Sequence, residues 1–426
     1  MRNRRNVRKK RNIVEIISNK NFIIISSILL IIILLSIGIL YYRQYKDKEL
    51  LAKQKSELEK QTHEIFEDIE TPASNTSAGV QGKSTAKIAA VGDILCGTDM
   101  LSDAKQGETY SFNYMFDGIS KYIKNADLSI GTLETNFTEN EYSGVGKYNS
   151  PIELLQAVKN SGVELVSVAH NHILDYGVSG YDETIKKIQD NELDITGIKD
   201  NTENENKDFS GIIKEVNGIK IAVLSYTYGL SNDGKLTEEE KNVANIYSEE
   251  KVKFDIDYAK ENSNYIMVIM HWGEVNNSVV SPWQEEVKNY LVDNGVDMIL
   301  GSHPSVIEPM EIVQNSEGRN VLVAYSLGNY ISSLKYENAD VELILNIEIT
   351  KESDSEKAVL KKVDYTPIYV LDNGTKADNR FELTDMKQLA VDYAGGDTTK
   401  ISRTVYNKLI NKIEWLDGIV NNNGKE

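Results

Sequence analysis

The chain contains little cysteine, histidine or proline and has a deficit of basic residues. Its 426 residues include one cysteine, five histidines and six prolines, and its formal net charge is −18. The single cysteine, Cys96, excludes an internal disulfide framework. The acidic balance argues against nucleic acid as a partner, because an acidic surface repels polyanions. With so few histidines, the position of each one is informative.

The sequence has enough apolar residues for a large core, and it contains one long uncharged run. Hydrophobic residues make up 40% of the chain and charged residues 26%. Residues 22–42 read FIIISSILLIIILLSIGILYY, and a helix that crosses a bilayer needs roughly 20 apolar residues. Eight basic residues and one acidic residue precede this run, and no small-residue cleavage site follows it. We therefore predict an uncleaved, single-pass anchor in the lipid bilayer.

The charges around the run predict the orientation of the chain and its domains. The basic flank should remain in the cytoplasm, which leaves an extracellular part with a net charge of about −25. We expect a cytoplasmic tail (1–21), a cell-membrane anchor (22–42), a stalk and flexible linker (43–85), a main domain (86–335) and C-terminal strands and a helix that complete it (336–426). The linker composition is TPASNTSAGVQGKST. His63 lies in the stalk and is expected to be solvated.

From residue 86 onward, short apolar strands alternate with amphipathic helices. KIAAVGDIL, ADLSIGTLE, VELVSVAH, YIMVIMH and VDMILGS have the composition of buried strands. Apolar residues at helical spacing predict one helix over Phe112–Ile123, and another is expected over Thr398–Val420. After Ser302 mainly strands follow, as in a second sheet or an antiparallel edge. The alternation predicts a layered α/β domain.

Polar residues follow the predicted strands at five places. Asp93 ends the first strand, Glu134 ends the next, and the third ends in VAHNHILDYG, which contains Asn171; His271 and His303 follow later strands. The carboxyl ends of strands open onto the crevice where α/β proteins bind ligands. Carboxylate, carboxamide and imidazole groups together are typical ligands of Mn, Fe or Zn. Pairs of such ions are used to hydrolyse phosphoesters, so the sequence predicts a site for one or two divalent ions.

The ordered motifs VGDIL, LET, HNHILDYG, MHWGEV, VDMILGSHPSVIEPMEI and YSLGNYI resemble the CapA family. These capsule-biosynthesis proteins are associated with poly-γ-glutamate and belong to the calcineurin-like metallophosphatase superfamily. The resemblance covers about residues 86–335, with YTPIYV similar to the family's trailing strand. It implies a four-layer α/β/β/α metallophosphatase-like sandwich.

The resemblance also assigns roles to individual residues. The metal ligands that it implies are Asp93, Glu134, Asn171, His271 and His303. His172 matches the group that stabilises or protonates a leaving oxygen. Independently of the resemblance, Asp175 could orient His172 or His170, or it could cap the helix that follows. Four other residues of the motifs are expected at the substrate site, although Trp272 could instead pack beneath its loop: His170, Trp272, Glu274 and Asn329.

Some positions depart from the family pattern. Leu95 stands where the superfamily usually has a histidine. Ser302 and Ser305 stand beside His303, where the family often has further histidines. A site that lacks those ligands would bind a pair of metal ions more weakly or would hold one ion. Cys96 could be a thiolate ligand or, as we favour, a small buried hydrophobic residue.

Three functions remain open from the sequence. The chain could be an assembly factor that works beside membrane-embedded synthase or export subunits of an anionic polymer. It could also be an active metal-dependent hydrolase of a phosphoester or of the polymer's amide bond. The third alternative is a surface interaction module in which the strand-end residues are structural.

Overall fold

The structure is a computed structural model that describes residues 2–67, 82–199, 208–353, 356–375 and 377–420, with side chains described from residue 20 onward. Most of the predicted flexible linker lies outside the described residues. The chain divides into two compact units, Met1–Gln61 with Ala390–Ile401 and Thr62–Leu389 with Ser402–Glu426. Each unit is described separately below.

The first unit consists mainly of helix α1 (Arg2–Lys60). From Lys20 to Lys60 it contains a window with a mean hydropathy of 3.1, and among the described residues it is the one helix long and apolar enough to cross a membrane. The helix continues past residue 42 into the predicted stalk and ends at Lys60. In this part, Lys53 pairs with Glu57 and Lys55 with Glu59, each one helical turn further along. The predicted anchor is therefore part of a longer continuous helix.

The second unit contains the remaining helices and the strands. The strands are β1 (Glu64–Glu67), β2 (Lys83–Ile94), β3 (Lys105–Gln106), β4 (Thr109–Tyr110), β5 (Leu128–Leu133), β6 (Ser143–Val145), β7 (Lys147–Asn149), β8 (Leu165–Ser167), β9 (Asp194–Thr196), β10 (Ile212–Val216), β11 (Ile219–Thr227), β12 (Tyr265–His271), β13 (Met298–Ser302), β14 (Met310–Gln314), β15 (Asn320–Ala324), β16 (Asn329–Ile331), β17 (Val341–Glu352), β18 (Val359–Asp372) and β19 (Phe381–Asp385). The helices are α2 (Thr98–Ala104), α3 (Asn113–Phe116), α4 (Ser120–Ile123), α5 (Ile152–Ser161), α6 (Gly177–Asp190), α7 (Glu238–Lys241), α8 (Glu249–Asn262), α9 (Pro282–Asp293), α10 (Met386–Ala394), which extends into the first unit, and α11 (Arg403–Val420). A short 3-10 turn covers Asp233–Lys235.

Two mixed sheets form the body of this unit. The first has the order β1-β18-β17-β2-β5-β8-β9, with β16 paired to β2 and β19 paired to β18. Its strands β2, β5, β8 and β9 run parallel. The second sheet has the order β10-β11-β12-β13-β15-β14, with β11, β12, β13 and β15 parallel. The parallel strands of each sheet therefore end at a common edge.

Both faces of both sheets are buried, which makes four layers. In β12, Val268 and Met270 pack with the apolar residues of α8 and α9, while the alternate residues Met267 and Ile269 are equally buried and point to the opposite face. Helices α5 and α6 cover the outer face of the first sheet in the same way. Between the sheets, the hydroxyls of Ser167 on β8 and Ser225 on β11 lie 2.5 Å apart. The predicted α/β/β/α sandwich is confirmed.

Two local predictions differ from the structure. The segment Phe112–Ile123 forms two short helices rather than one, with Gly118 between them. The backbone at Gly118 packs directly against strand β19, since a Cβ there would lie 2.6 Å from the Leu383 carbonyl oxygen. The prediction that His63 is solvated is wrong. Its side chain is 8% exposed, and its Nδ1 lies 3.3 Å from the Asp417 carboxylate. Its ring packs on Tyr365, beside strand β1, which joins the first sheet.

Candidate metal centre

The polar strand ends of the two sheets meet at one edge of the sandwich. Asp93 is the penultimate residue of β2, and Glu134 directly follows β5 in the same sheet. Asn171 lies in the turn after β8. From the second sheet, His271 is the last residue of β12, and His303 directly follows β13. The neighbouring parallel strands deliver these side chains to the same place, as the sequence predicted.

His271 lies at the centre of the cluster. Its Nε2 is 2.9 Å from Asn171 Oδ1, 3.1 Å from His303 Nδ1 and 3.8 Å from Glu134 Oε1. Among the described residues, Glu134, His271 and His303 form a group whose ligand atoms all lie within 4.8 Å of one another. One carboxylate and two imidazoles therefore lie close enough together to hold a metal ion, with the Asn171 carboxamide beside His271.

Asp93 lies on the other side of the His271 ring. Its Oδ2 accepts a hydrogen bond of 2.8 Å from the His303 backbone N–H, and its Oδ1 is 3.9 Å from His271 Nδ1. The same Nδ1 lies 3.0 Å from the hydroxyl of Ser302. Asp93 thus borders the cluster without joining its tightest group.

His303 has an unusual backbone conformation. Its φ angle is 98°, in the left-handed region that side chains other than glycine rarely adopt, and Ser305 two residues later has a φ of 60°. Strain of this kind costs about 1–3 kcal/mol and is found most often at functional sites. The strained turn holds the His303 ring 4.7 Å from the ring of His271, so it serves the geometry of the cluster.

Burial favours the neutral form of each ionisable group in the cluster. Burial raises the pKa of Asp93 to about 7, and burial together with the charges of Asp93 and Asp175 raises the pKa of Glu134 well above its usual value. Burial lowers the pKa of His303 to about 4 and that of His271 well below the normal range. The buried oxygens Asp93 Oδ1 and Glu134 Oε2 have no hydrogen-bond partner.

These features fit a divalent cation. Buried charges are normally paired or coordinate a metal, and an ion here would compensate both carboxylates and accept the lone pairs of neutral imidazoles. Leu95, at the position of the histidine that the superfamily usually carries, is a buried apolar side chain. Cys96 is also buried, its Sγ faces the Gly97 carbonyl oxygen at 3.8 Å, and it does not belong to the group of Glu134, His271 and His303.

A second polar group lies beside the ligands. His172 Nδ1 is 2.7 Å from Asp175 Oδ2, and the Ser231 hydroxyl donates to Asp175 Oδ1 at 2.8 Å. The ring of Tyr148 packs edge-on against His172 at 4.7 Å between centroids. Helix α6 begins at Gly177 without a side-chain cap, so Asp175 orients His172 and does not cap the helix.

Three of the four residues expected at the substrate site are buried, and their contacts lie within the protein. Trp272 is fully buried and its indole N–H donates to the Tyr325 carbonyl oxygen at 2.8 Å, which places it in the core beneath the loop. His170 is fully buried 6.2 Å from the His271 ring, and neither of its ring nitrogens has a hydrogen-bond partner. Asn329 is buried and donates to the Ser305 carbonyl oxygen at 2.9 Å, which holds the strained turn.

The fourth residue, Glu274, is exposed in the loop after β12. Its carboxylate accepts a hydrogen bond of 3.2 Å from Asn277 in the same loop. The structure therefore leaves Glu274 available to solvent but shows no contact between it and the ligand cluster.

Sequence reasoning missed the segment that follows β11. Tyr228 lies over the His303 ring, with 4.9 Å between ring centroids, and Ser231 contacts Asp175. The Ser231 N–H also donates to the Asn171 carbonyl oxygen at 2.9 Å. Neither a tyrosine nor a serine suggests metal binding by itself. The sequence feature that could have indicated this segment is its position directly after a buried strand.

The fold and the buried ligand cluster define an α/β/β/α sandwich protein with a candidate metal centre at the carboxyl edge of its sheets. Residues 87–334 match the family model described as "Bacterial capsule synthesis protein PGA_cap", and the chain belongs to this family. The resemblance predicted from the motifs is thereby confirmed.

Two curated relatives are capsule proteins. The chain is 30% identical over 252 residues to "Capsule biosynthesis protein CapA" of Bacillus anthracis, a match that covers 57% of this chain and 58% of the relative. It is 27% identical over 247 residues to "PGA biosynthesis protein CapA" of Bacillus subtilis strain 168, covering 57% and 62%. Each match spans less than two thirds of the relative.

Solved structures are similar at low sequence identity. The NAD nucleotidase of Haemophilus influenzae matches with 14% identity and a TM-score of 0.40, covering 79% of this chain and 60% of that one. A phosphatase of Mycoplasma pneumoniae matches with 15% identity and a TM-score of 0.40, covering 68% and 95%.

Proposed function

We propose that this chain is a membrane-anchored capsule protein, required for the synthesis, export or anchoring of an anionic polymer similar to poly-γ-glutamate, and that it binds a divalent ion. Its main domain lies outside the cell in this proposal, and its partners are membrane-embedded synthase or export subunits. The observation that carries the metal site is the convergence of Glu134, His271 and His303, with unpartnered carboxylate oxygens, in a buried cluster.

The residues of the cluster fit a single ion of Mn, Fe or Zn. Glu134, Asn171, His271 and His303 would hold it, and Asp93 would complete its surroundings through His303 and His271. Such an ion polarises a bound oxygen and lowers the pKa of a bound water. His172, with its side chain 14% exposed and its Nδ1 held by Asp175, can exchange a proton at Nε2.

A hydrolase is the second candidate function, acting on a phosphoester or on the polymer's amide bond. The observation that favours it is the His172–Asp175 pair beside the ligands, because an imidazole oriented by a carboxylate is a typical general acid or base. A passive interaction module has no need for this pair or for buried, unpaired carboxylates.

The test begins with metal binding by the full-length chain in detergent. We expect the metal-free protein to bind about one equivalent of Mn²⁺ or Zn²⁺ by calorimetric titration, and the His271→Ala and His303→Ala variants to lose this binding. His63→Gln is the matched control, since His63 is also largely buried but packs on Tyr365. Absence of stoichiometric binding in the wild type would leave the interaction module as the better reading.

Turnover separates the two remaining candidates. Hydrolysis of a phosphodiester by the metal-loaded protein, lost in His172→Gln with metal binding retained, would support the hydrolase. Metal binding without turnover of a phosphodiester or of the polymer would support the assembly factor.

Polymer binding provides an independent test. The chain beyond residue 42 carries a net charge of about −25, so long-range attraction cannot recruit a polyanion. Bound divalent ions would reverse the charge locally. We expect association with poly-γ-glutamate at low salt to disappear in EDTA, and tight association that persists in EDTA would contradict the proposal.

The orientation can be tested with introduced cysteines. The native Cys96 is 2% exposed and its thiol has a raised pKa, so it gives little background. Val279 is 69% exposed, and Val279→Cys should react with a membrane-impermeant maleimide on intact cells. Asn6→Cys, in the basic tail, should react only after permeabilisation. The reverse pattern would place the domain inside.

A further inference from the structure

Tyr228 is fixed at the mouth of the metal centre by the backbone. It directly follows β11, and its N–H donates to the His271 carbonyl oxygen at 2.9 Å, so strand pairing sets its position. Its ring lies 4.9 Å from the ring of His303 and 6.5 Å from that of His271. The side chain is 42% exposed, unlike the buried ligands. Tyr228 thus contacts the ligands on one side and solvent on the other.

The hydroxyl of Tyr228 has a proton to donate. Asn171 Oδ1 faces His271 Nε2 at 2.9 Å, so the Asn171 amide N–H groups point elsewhere, and the Asn171 side chain forms a hydrogen bond with the Tyr228 hydroxyl. An amide N–H can only donate, so the phenol oxygen accepts this bond and its own O–H is left for another acceptor. A neutral donor suits an anion in a cluster that already contains two carboxylates.

We propose that Tyr228 binds an oxyanion at the metal centre: an oxygen of the ligand beside the ion accepts a hydrogen bond from the Tyr228 hydroxyl. The ligand class is a phosphoryl or carboxylate group, which a metal and a phenol would hold from two sides. This inference deepens the proposed function and depends on the metal site.

The segment after Tyr228 supports the same arrangement. Three residues later, the Ser231 N–H donates to the Asn171 carbonyl oxygen at 2.9 Å, and its hydroxyl donates to Asp175 at 2.8 Å. Both ends of the segment Tyr228–Ser231 are therefore tied to the turn that carries Asn171 and His172. This segment belongs to the second sheet and that turn to the first, so Tyr228 is held from both sheets.

The test compares Tyr228→Phe with Tyr258→Phe in the full-length chain in detergent. Tyr258 is a half-buried tyrosine on α8 that packs on Phe209, so it controls for the loss of a phenol hydroxyl. Mn²⁺ is titrated first, and inorganic phosphate and glutarate are then titrated separately into the Mn²⁺-loaded proteins. We expect Tyr228→Phe to keep its Mn²⁺ affinity within about twofold and to bind the oxyanion roughly tenfold or more weakly, as for a lost hydrogen bond to a charged group.

The outcomes are separable. Weakening for phosphate alone indicates a phosphoryl ligand, and weakening for glutarate alone indicates the carboxylates of a polymer. If Mn²⁺ binds but Tyr228→Phe binds both anions as tightly as Tyr258→Phe, or if neither anion binds the wild type, the role of Tyr228 is refuted while the metal site stands. Failure of the wild type to bind Mn²⁺ would refute both proposals.

Discussion

Replacement of Glu134 by glutamine should have opposite effects on the metal-free and metal-loaded protein. The Glu134 side chain is 5% exposed, its Oε2 has no partner, and burial followed by the charges of Asp93 and Asp175 raises its pKa. A carboxyl whose pKa is raised on folding contributes stability that is present below the unfolded value of 4.5 and is lost as the pH rises above it.

The size of this effect follows from the linkage. At pH 7.5 the loss is at most about 4 kcal/mol, because each pH unit above 4.5 costs up to about 1.36 kcal/mol. A glutamine has no such loss, so metal-free Glu134→Gln should be more stable than the wild type. At roughly 2–4 °C per kcal/mol, its Tm should rise by several degrees. Wild-type protein at 100 times the Kd for Mn²⁺ should gain about 2.7 kcal/mol, and the variant should gain little.

Thermal unfolding of the full-length chain with and without Mn²⁺ measures both effects. Glu308→Gln is a matched control, because Glu308 is a fully buried carboxyl that accepts a hydrogen bond from Gln284 at 2.7 Å and is not part of the ligand group. This control should also gain stability but keep the response to Mn²⁺. A metal-free Glu134→Gln that melts below the wild type, or an equal Mn²⁺ response in both, would refute the reasoning.

Three further predictions concern packing and pH. Gly92→Ala should lower the free energy of unfolding by more than about 2 kcal/mol in urea titrations, because its Cβ would lie 2.0 Å from the Gly328 carbonyl oxygen. Gly229→Ala, with no heavy atom within 4 Å of its Cβ, should change the free energy of unfolding by less than about 0.5 kcal/mol. Equal losses in the two variants would contradict the close contact between Gly92 and Gly328. Trp272→Phe should lower the free energy of unfolding by about 1–3 kcal/mol, because it leaves the Tyr325 carbonyl oxygen without its donor. Calorimetry should find the Mn²⁺ affinity unchanged. Weakened Mn²⁺ binding would show that Trp272 contributes to the metal site. Burial raises the pKa of Glu308 to about 8, so its contribution to stability is lost between pH 4.5 and 8. The stability advantage of Glu308→Gln should therefore grow over this range, and an advantage that shrinks with pH would contradict that shift.

The periodicity of the sequence predicted a layered α/β domain, whereas the four-layer arrangement followed from the resemblance to the CapA family. The placement of the candidate ligands at one edge followed from their positions at the ends of predicted strands. Buried strands such as YIMVIMH are recognisable by their apolar runs, and a histidine at the end of one is brought to the sheet edge by the parallel topology. The positions of His271 and His303 therefore followed from chain order alone.

Other features depended on contacts between distant residues. Whether Trp272 points into the core or into the site is decided by the Tyr325 carbonyl oxygen, 53 residues away. His63 is covered because the four-residue strand β1 pairs with β18, a pairing that a short polar segment does not reveal. The position of Tyr228 beside His271, His303 and Asn171 depends on strand pairing, and its residue type alone indicates no chemistry.

The ligands of the candidate centre come from separate layers. Asp93, Glu134 and Asn171 belong to the first sheet and its turns, whereas His271 and His303 belong to the second. In a chain with one cysteine, an ion bound there would be a cross-link between the two halves of the sandwich. Removal of the ion by a chelator would then weaken the interface between the two sheets, and the sheets would separate under a smaller applied force.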